Sequence, residues 1–451
     1  MTKRFVSIIM SAVALIATTV SCEKNYYDPE AQKDMYAEYF PVDSVYKYHD
    51  WKTVKSATIK ITSNKSTDYN YIIKIYGSNP YNSSTGKSVT STLTNYFEIQ
   101  CNSKDTIESS LSYPLTTDKL YIVCDSAGYM VNVIEKSINS GQASHEVTIG
   151  ESDMAVKEEY NEETFKWTYC FEDAFPSPSD SYDFNDVVLT VYKELHSDPK
   201  IVTLHVTLRA VGSLSQLAAA IHLSGLEKSD IQWVDVDQPF NFYQYGSYTK
   251  IHSADDGYLD VSETIGKKIV IPLFNDAHYA IISKNDTIGT TTTTGSLTTG
   301  YINAVGSNSP SKYSGAGLTM DAVEAIYTIK CRSIKAAQAI TANDLDVFIT
   351  TMAVGATYEV HIPPFKAQQV LYQQVSSQYE SAFYGDQYTW GLLVPGEFKY
   401  PQEGIAIGYE GNDSRFGAYT TIGHSFAEWA KDKDDATDWY EYPNGNVYIA
   451  K

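Results

Sequence analysis

Apolar and polar residues alternate along much of this chain with a period of two, the pattern of strands that bury one face. Ala57-Thr58-Ile59-Lys60-Ile61 alternates, and Tyr69 to Tyr76 leads into breakers at Gly77 and Pro80. Tyr96 to Gln100, Leu120 to Cys124 and Tyr129 to Ile134 continue the pattern, with a turn at Ala127-Gly128 between the last two. Roughly five to seven short strands in this stretch predict a small sandwich of the immunoglobulin type. A charged stretch from Glu151 to Glu163 marks a boundary. Beyond it, Val187 to Tyr192, Ile201 to Ala210, Ala219 to Leu223 and Ile269 to Leu273 are again strand-like. Val202, Leu204, Val206 and Leu208 fall on one face of the second, and Thr203, His205, Thr207 and Arg209 on the other, which predicts a half-buried antiparallel strand. The tract Thr287 to Gly300 reads as an exposed loop or hairpin tip. Near the end, Ile422, Phe426, Trp429 and Ala430 stand at i, i+4, i+7 and i+8, which predicts one short amphipathic helix.

The expected fold is therefore mainly β: an immunoglobulin-like sandwich over residues 51–150, then a larger β-sandwich or jelly-roll-like domain over 160–451 with a short C-terminal helix. Residues 22–50 are polar and aromatic, with breakers at Asp28-Pro29 and Phe40-Pro41, and read as a tether that ends by packing against the first domain.

The first residues assign a compartment. Lys3 and Arg4 precede an apolar run from Phe5 to Ala17, and Thr19-Val20-Ser21 leads into Cys22. That is the cleavage pattern of a bacterial lipoprotein signal, so residues 1–21 are expected to be removed and Cys22 lipidated. The run is short for a bilayer span of about 20 residues. A diacylglycerol on Cys22 would hold an otherwise aqueous protein to a membrane.

Composition adds a surface charge. The 451 residues carry a formal charge of −21, which becomes −23 when Lys3 and Arg4 leave with the signal. Such a surface repels nucleic acid and anionic lipid and favours cations. The 37 tyrosines fit half-exposed strands, and also a sugar-binding face. Cys101, Cys124, Cys170 and Cys331 lack the close pairs of a zinc site. In an oxidising compartment the pairings that respect the domain division are Cys101 with Cys124 and Cys170 with Cys331, alongside the alternative of buried free thiols.

The candidate chemistry is concentrated in one segment. Glu172, Asp173, Asp180, Asp183, Asn185 and Asp186 stand within a short stretch that enters the apolar run at Val187. Carboxylates gathered on a turn supply the oxygen ligands a calcium ion takes. With a strand from Val187, Asp183 and Asn185 project to one side of the entry loop and Asp186 to the other, with Glu172 and Asp173 closing the shell from the preceding turn. The spacing is not that of an EF-hand. The alternative is that these acids cap turns by accepting backbone hydrogen bonds.

At these residues the chain resembles the opening of the LruC domain, on Phe171-Glu172-Asp173, Pro176 and Tyr182-Asp183-Phe184-Asn185-Asp186-Val187-Val188. Further segments resemble an uncharacterised domain that accompanies LruC in Bacteroidetes lipoproteins: Asn343 to Ile349, Glu359 to Pro363, Trp390 to Pro395, Phe398 to Pro401 and Phe426 to Ala430. The resemblance spans roughly residues 160–442. It implies an outer-membrane lipoprotein with a calcium-binding acidic loop and no established enzymatic activity. The family's second Asp, its Asn and its last Asp fall on Asp183, Asn185 and Asp186. Its first Asp falls on Ser181 and its Gly on Asp180, so one ligand is displaced by a residue.

Catalytic patterns are sparse. The nine histidines include no His-Glu-x-x-His, and there is no Gly-x-Ser-x-Gly elbow. His222 and His361 sit in apolar runs, where satisfied core histidines are expected. The reading is a calcium-stabilised binding or structural module of the cell envelope, not an enzyme, held to the outer membrane by lipid, with a glycan or protein ligand. The alternatives are a fimbrial or adhesin component, and a glycan-acting accessory protein or enzyme with Trp233 and Trp390 on an exposed aromatic platform.

Overall fold

A computed structural model describes residues 40–42, 44–64, 70–89, 93–102, 104–138, 143–150, 156–157, 162–175, 182–241, 269–282, 302–303, 318–319, 321–353, 356–365, 388–408 and 417–448. The signal segment, Cys22, Asp180, Ser181 and the Thr287 to Gly300 tract lie outside these residues.

The first region holds β1 (Val54–Ser63), β2 (Asn70–Tyr76), β3 (Tyr81–Asn82), β4 (Lys87–Ser88), β5 (Leu93–Asn102), β6 (Ile107–Pro114), β7 (Lys119–Ser126), β8 (Tyr129–Ser137), β9 (Ser144–Ile149), β10 (Val156–Lys157) and β11 (Glu162–Thr164). They form sheets ordered β6-β1-β9 and β10-β8-β7-β2-β5-β11, with β3 and β4 a separate pair. The alternating residues Ile59, Ile61, Ile73, Ile75, Leu111 and Ile122 meet between the sheets. The turn at Ala127-Gly128 is as expected, both residues taking positive φ, 53° and 82°. Asp125 braces it by accepting the Gly128 N–H at 2.9 Å. An immunoglobulin domain places its first, second, fourth and fifth strands in one sheet. Here β2, β5, β7 and β8 share a sheet, and β9 runs parallel to β1 in the other.

The second region holds β12 (Trp167–Phe171), β13 (Val187–Leu195), β14 (Ile201–Val211), β15 (Ala218–Leu223), β16 (Ile231–Gln238), β17 (Val270–Phe274), β18 (Ile302–Asn303), β19 (Leu318–Thr319), β20 (Val323–Cys331), β21 (Leu345–Ala353), β22 (Ala356–His361) and β23 (Gly391–Pro395). One sheet follows the order β16-β20-β14-β13-β12-β23 and the other β17-β15-β21-β22. Their inner faces share one apolar core, to which Leu204, Val206 and Leu208 of β14 and Ile221, Val347 and Ile349 of the second sheet contribute.

Several expectations change. β14 lies in the middle of its sheet and its polar face is covered as well, with Thr203, His205 and Arg209 all buried. Polar partners supply that cover: His205 Nε2 meets Glu194 at 2.9 Å and Arg209 meets Glu397 at 2.9 Å. The predicted helix is present at Phe426–Lys431, closed by a capping box between Ser425 and Glu428. Ile422 precedes it and is 92% exposed, so the apolar face consists of Phe426, Trp429 and Ala430. All four described cysteines are buried free thiols, so neither disulfide forms.

The largest correction concerns residues 40–53, with 40–50 expected as the end of a tether packed against the first domain and 51–53 as the start of that domain. Phe40, Val42 and Trp51 belong to the core of the second. Trp51 packs on Phe426 and Trp429, with ring centroids 5.9 and 5.7 Å apart. Lys52 bridges in parallel to Leu393 of the edge strand β23. His49 fixes the crossing as a neutral ring: Nδ1 accepts the Trp51 N–H at 2.9 Å, and Nε2 donates to the Trp429 carbonyl at 3.0 Å. The physical reason is the aromatic density around the C-terminal helix, which gives Phe40 and Trp51 more apolar area to cover than the small sandwich does. At the other end, β11 pairs with β5, so the small sandwich keeps the chain as far as Thr164. It is thus an insertion between two parts of the larger core.

Candidate metal centre

The acidic segment lies where three strands of the larger sheet end or begin. β12 stops at Phe171, opposite Val187 at the start of β13, and β14 ends beside them near Ala210, opposite Val188. Glu172 continues the ladder by donating its N–H to the Trp390 carbonyl at 2.9 Å, so the loop starts from a fixed backbone. Tyr182 and Phe184 then take positive φ, 47° and 51°. Two aromatic residues in left-handed backbone are costly, on the order of 1–3 kcal/mol each. Burial holds them: Tyr182 packs edge-on to Phe40 at 4.9 Å, and Phe184 donates its N–H to Glu172 Oε1.

This backbone turns the acids inward. Glu172, Asp183 and Asn185 are each 1% exposed and Asp186 is 8% exposed. Four carboxylates hold a donor each: Glu172 that of Phe184, Asp186 the Asp173 N–H at 2.6 Å, Asp183 the Gly404 N–H at 2.7 Å, and Asp173 the Ser213 hydroxyl. The turn-capping alternative thus describes part of what these acids do. Asp183 and Asn185 do face one way, towards residues 401–404, while Asp186 reaches back to Asp173.

A fifth carboxylate, Glu403, joins from a distant turn closed by Gly404 at φ 71°. Burial, then Asp183 and Asp173, push its carboxyl up to about 8, with Asn185 partly offsetting them. Asp186 is also raised well above the usual carboxylate range, first by burial and then by Glu172, Asp173 and Asp183. No cationic side chain figures among the causes for either group.

Two buried acceptors have no hydrogen-bond partner among the described residues. Asn185 donates through Nδ2 to the Pro401 carbonyl at 3.2 Å, but its Oδ1 has no hydrogen-bond partner, and neither has Glu403 Oε2. Gly212 gives Asn185 its room, since a Cβ there would lie 2.0 Å from Oδ1. The donors are all hard oxygens, which suits calcium or magnesium and not zinc. Among the described residues no group of three or more His, Cys, Asp or Glu forms a ready-made metal site. The carboxylates are close enough to repel one another, yet each is turned to an internal donor.

Sequence reasoning missed Glu403, Gly212 and Ser213, which only the sheet brings to the loop. The signal for Glu403 was the turn-forming Pro401-Gln402-Glu403-Gly404 directly after one of the resembling segments. Of the two tryptophans proposed for a sugar platform, Trp390 is fully buried against Phe175 at 5.2 Å. Trp233 is 38% exposed. His222 and His361 are satisfied in the interior, both on Asp346, at 3.1 and 2.7 Å.

Among solved structures, the chain is similar to a presumed lipoprotein from Bacteroides ovatus, at 15% identity and a TM-score of 0.43, covering 84% of this chain and 98% of that one. It also aligns with the full-length major pilin SpaD of Corynebacterium diphtheriae, at 10% identity and a TM-score of 0.12, covering 68% of this chain and 66% of that one. At these scores neither likeness bears on function. No curated protein matches, and among the described residues no helix is long and apolar enough to cross a membrane. The family model for a domain of unknown function, DUF4842, matches residues 200–440, which takes in every resembling segment from Asn343 to Ala430 but begins after the LruC-like motif; the chain belongs to the DUF4842 family.

Proposed function

We propose that this DUF4842 protein is a lipid-anchored module of the cell envelope, held to the outer membrane through Cys22, whose larger domain takes up one calcium ion in the acidic pocket. The observation that carries the calcium reading is the buried Asn185 Oδ1 without a partner amid mutually repelling carboxylates. Glu172, Asp183, Asn185, Asp186 and Glu403 would hold the ion, with Asp173 at the edge and Asp180 from the LruC-type loop. Bound calcium supplies charge that ends the repulsion and ties β12, β13 and the Glu403 turn together. The ion's role is rigidity and presentation, so the module binds or supports a glycan or protein partner and is not an enzyme. The strongly acidic surface argues against nucleic acid as that partner.

The test is a melting curve of the mature chain in chelator and in millimolar calcium. A ligand at 100 times its Kd stabilises by about 2.7 kcal/mol, a shift of several degrees. Asp183→Ala with Asp186→Ala should melt at one temperature with and without the ion. An unchanged wild-type transition in millimolar calcium would overturn the reading. For the anchor, Cys22→Ser should release the protein from the membrane fraction, and retention of that variant would count against lipidation.

A further inference from the structure

A cavity of about 220 Å³ lies at the seam between the two β regions. The strand pairing explains why it forms there. The β12–β13 ladder stops at the pair Trp167–Val191, whereas β13 continues alongside β14 to Leu195. The tail of β13 therefore runs on past the start of β12, and the small sandwich closes the gap with β5 and β6.

The walls are mixed in a specific way. Tyr96, Phe165 and Trp167 form a continuous edge-to-face series, at 4.8 and 4.4 Å between ring centroids. Lys193 and Glu98 bring charges of opposite sign to the same space. Lys193 Nζ donates to the Ile340 carbonyl at 2.7 Å and meets no carboxylate in an ion pair among the described residues, which leaves two of its three N–H donors for a ligand. Glu98 already accepts from Asn95 Nδ2 at 3.3 Å, and a pure hydrocarbon would leave the remaining Lys193 donors away from water. A strongly charged ligand would be attracted by one of the two charges and repelled by the other. The volume exceeds the roughly 150 Å³ cavity that holds benzene by enough for one substituted ring.

We infer that the seam cavity binds a single pyranose-sized sugar ring, its C–H face against the aromatic series and its hydroxyls on Lys193 and Glu98. This site is separate from the acidic pocket and does not rest on the calcium reading. It replaces the Trp233 and Trp390 platform with a set of rings that are close together.

The experiment is saturation-transfer NMR and calorimetry on the mature chain, with the methyl pyranosides of glucose, galactose and mannose and with N-acetylglucosamine as probes. At least one should bind, and Lys193→Met and Phe165→Ala should each weaken it tenfold or more. Ser110→Phe, which fills the cavity from the outward face of β6, should abolish it and covers the case in which Lys193→Met does not fold. Asp183→Ala with Asp186→Ala should leave sugar affinity unchanged. Absence of binding by every probe to folded protein would overturn the inference. So would full-strength binding in Ser110→Phe, or binding of free amino acids with no sugar.

Discussion

His361 supports a quantitative test of the larger domain. On the face of the β17-β15-β21-β22 sheet that carries Phe348, Asp346 bridges two histidines, His361 at 2.7 Å and His222 at 3.1 Å. The second nitrogen of His361 meets Glu359 at 3.1 Å, and its ring stacks on Phe348 at 4.5 Å. His361, Glu359 and Asp346 are essentially inaccessible to water. Burial opposes a charge on His361, but Asp346 and then Glu359 outweigh it and raise the ring from 6.5 to about 9. The carboxyl of Asp346, which burial alone would push up, is held below its ordinary range by His361 and His222. A raised histidine contributes stability that is complete below pH 6.5 and is lost as pH rises through about 9. At about 1.4 kcal/mol per pH unit this amounts to about 3 kcal/mol. His361→Gln leaves two buried carboxylates without their cation, at a cost of about 3–5 kcal/mol near neutrality. All six tryptophans, at 51, 167, 233, 390, 429 and 439, lie outside the small sandwich, so their fluorescence reports on the larger domain. Urea unfolding followed this way from pH 6 to 10 should show the gap between wild type and His361→Gln narrowing by about 3 kcal/mol towards the alkaline end. A gap that stays constant with pH would refute an imidazolium between Asp346 and Glu359.

His49 works in the opposite sense. Burial lowers its ring to about 4, so its contribution is present above pH 6.5 and is lost as pH falls towards 4, and His49→Gln should flatten the acid side of the same curve. Trp51→Ala should destabilise the larger domain by about 3–5 kcal/mol, read from the urea midpoint, while a fragment starting at residue 160 should melt below the whole chain and recover when a 40–53 peptide is added. Gly212→Ala should cost on the order of 2 kcal/mol through the overlap with Asn185 and remove any calcium response, measured by calorimetry; an unchanged response would detach Asn185 from the site.

What could be read from the sequence was what local pattern determines. Strands such as Ala57 to Ile61 and Ile201 to Ala210 follow from alternation, Ala219 to Leu223 and Ile269 to Leu273 from short apolar or β-branched runs, and the turn at Ala127-Gly128 from its glycine. Other strands were missed, among them Val323–Cys331 in spite of its regular alternation. Trp167–Phe171 and Gly391–Pro395 are buried at every position, and their apolar runs carry no period to detect. The candidate site was legible as far as it is local, since Glu172, Asp173, Asp183, Asn185 and Asp186 do gather at one end of the sheet. Glu403 arrives through the β23 side of the sheet, and no spacing along the chain encodes that. The segment before β1 was misplaced for a related reason: Phe40 looks like a tether residue and Trp51 like the start of the first domain until the aromatic helix they cover is in place.

β13 connects the two sites. It begins one residue after Asp186 and passes Lys193, and eight steps from Val187 to Leu195 span roughly 26 Å. A strand hydrogen-bonded on both sides over most of that length is a poor transmitter, because coupling needs an element with two alternative arrangements. The candidate for such an element is the irregularity between Val188 and Leu189, where the register with β14 shifts next to the acidic pocket. A cation there would fix that shift without moving Tyr192 or Lys193, whose partners on β14 are in regular register. Calcium is therefore expected to change how firmly the larger domain holds together, and not how tightly a sugar sits in the seam. That independence is why the Asp183→Ala with Asp186→Ala variant is a valid control for sugar binding.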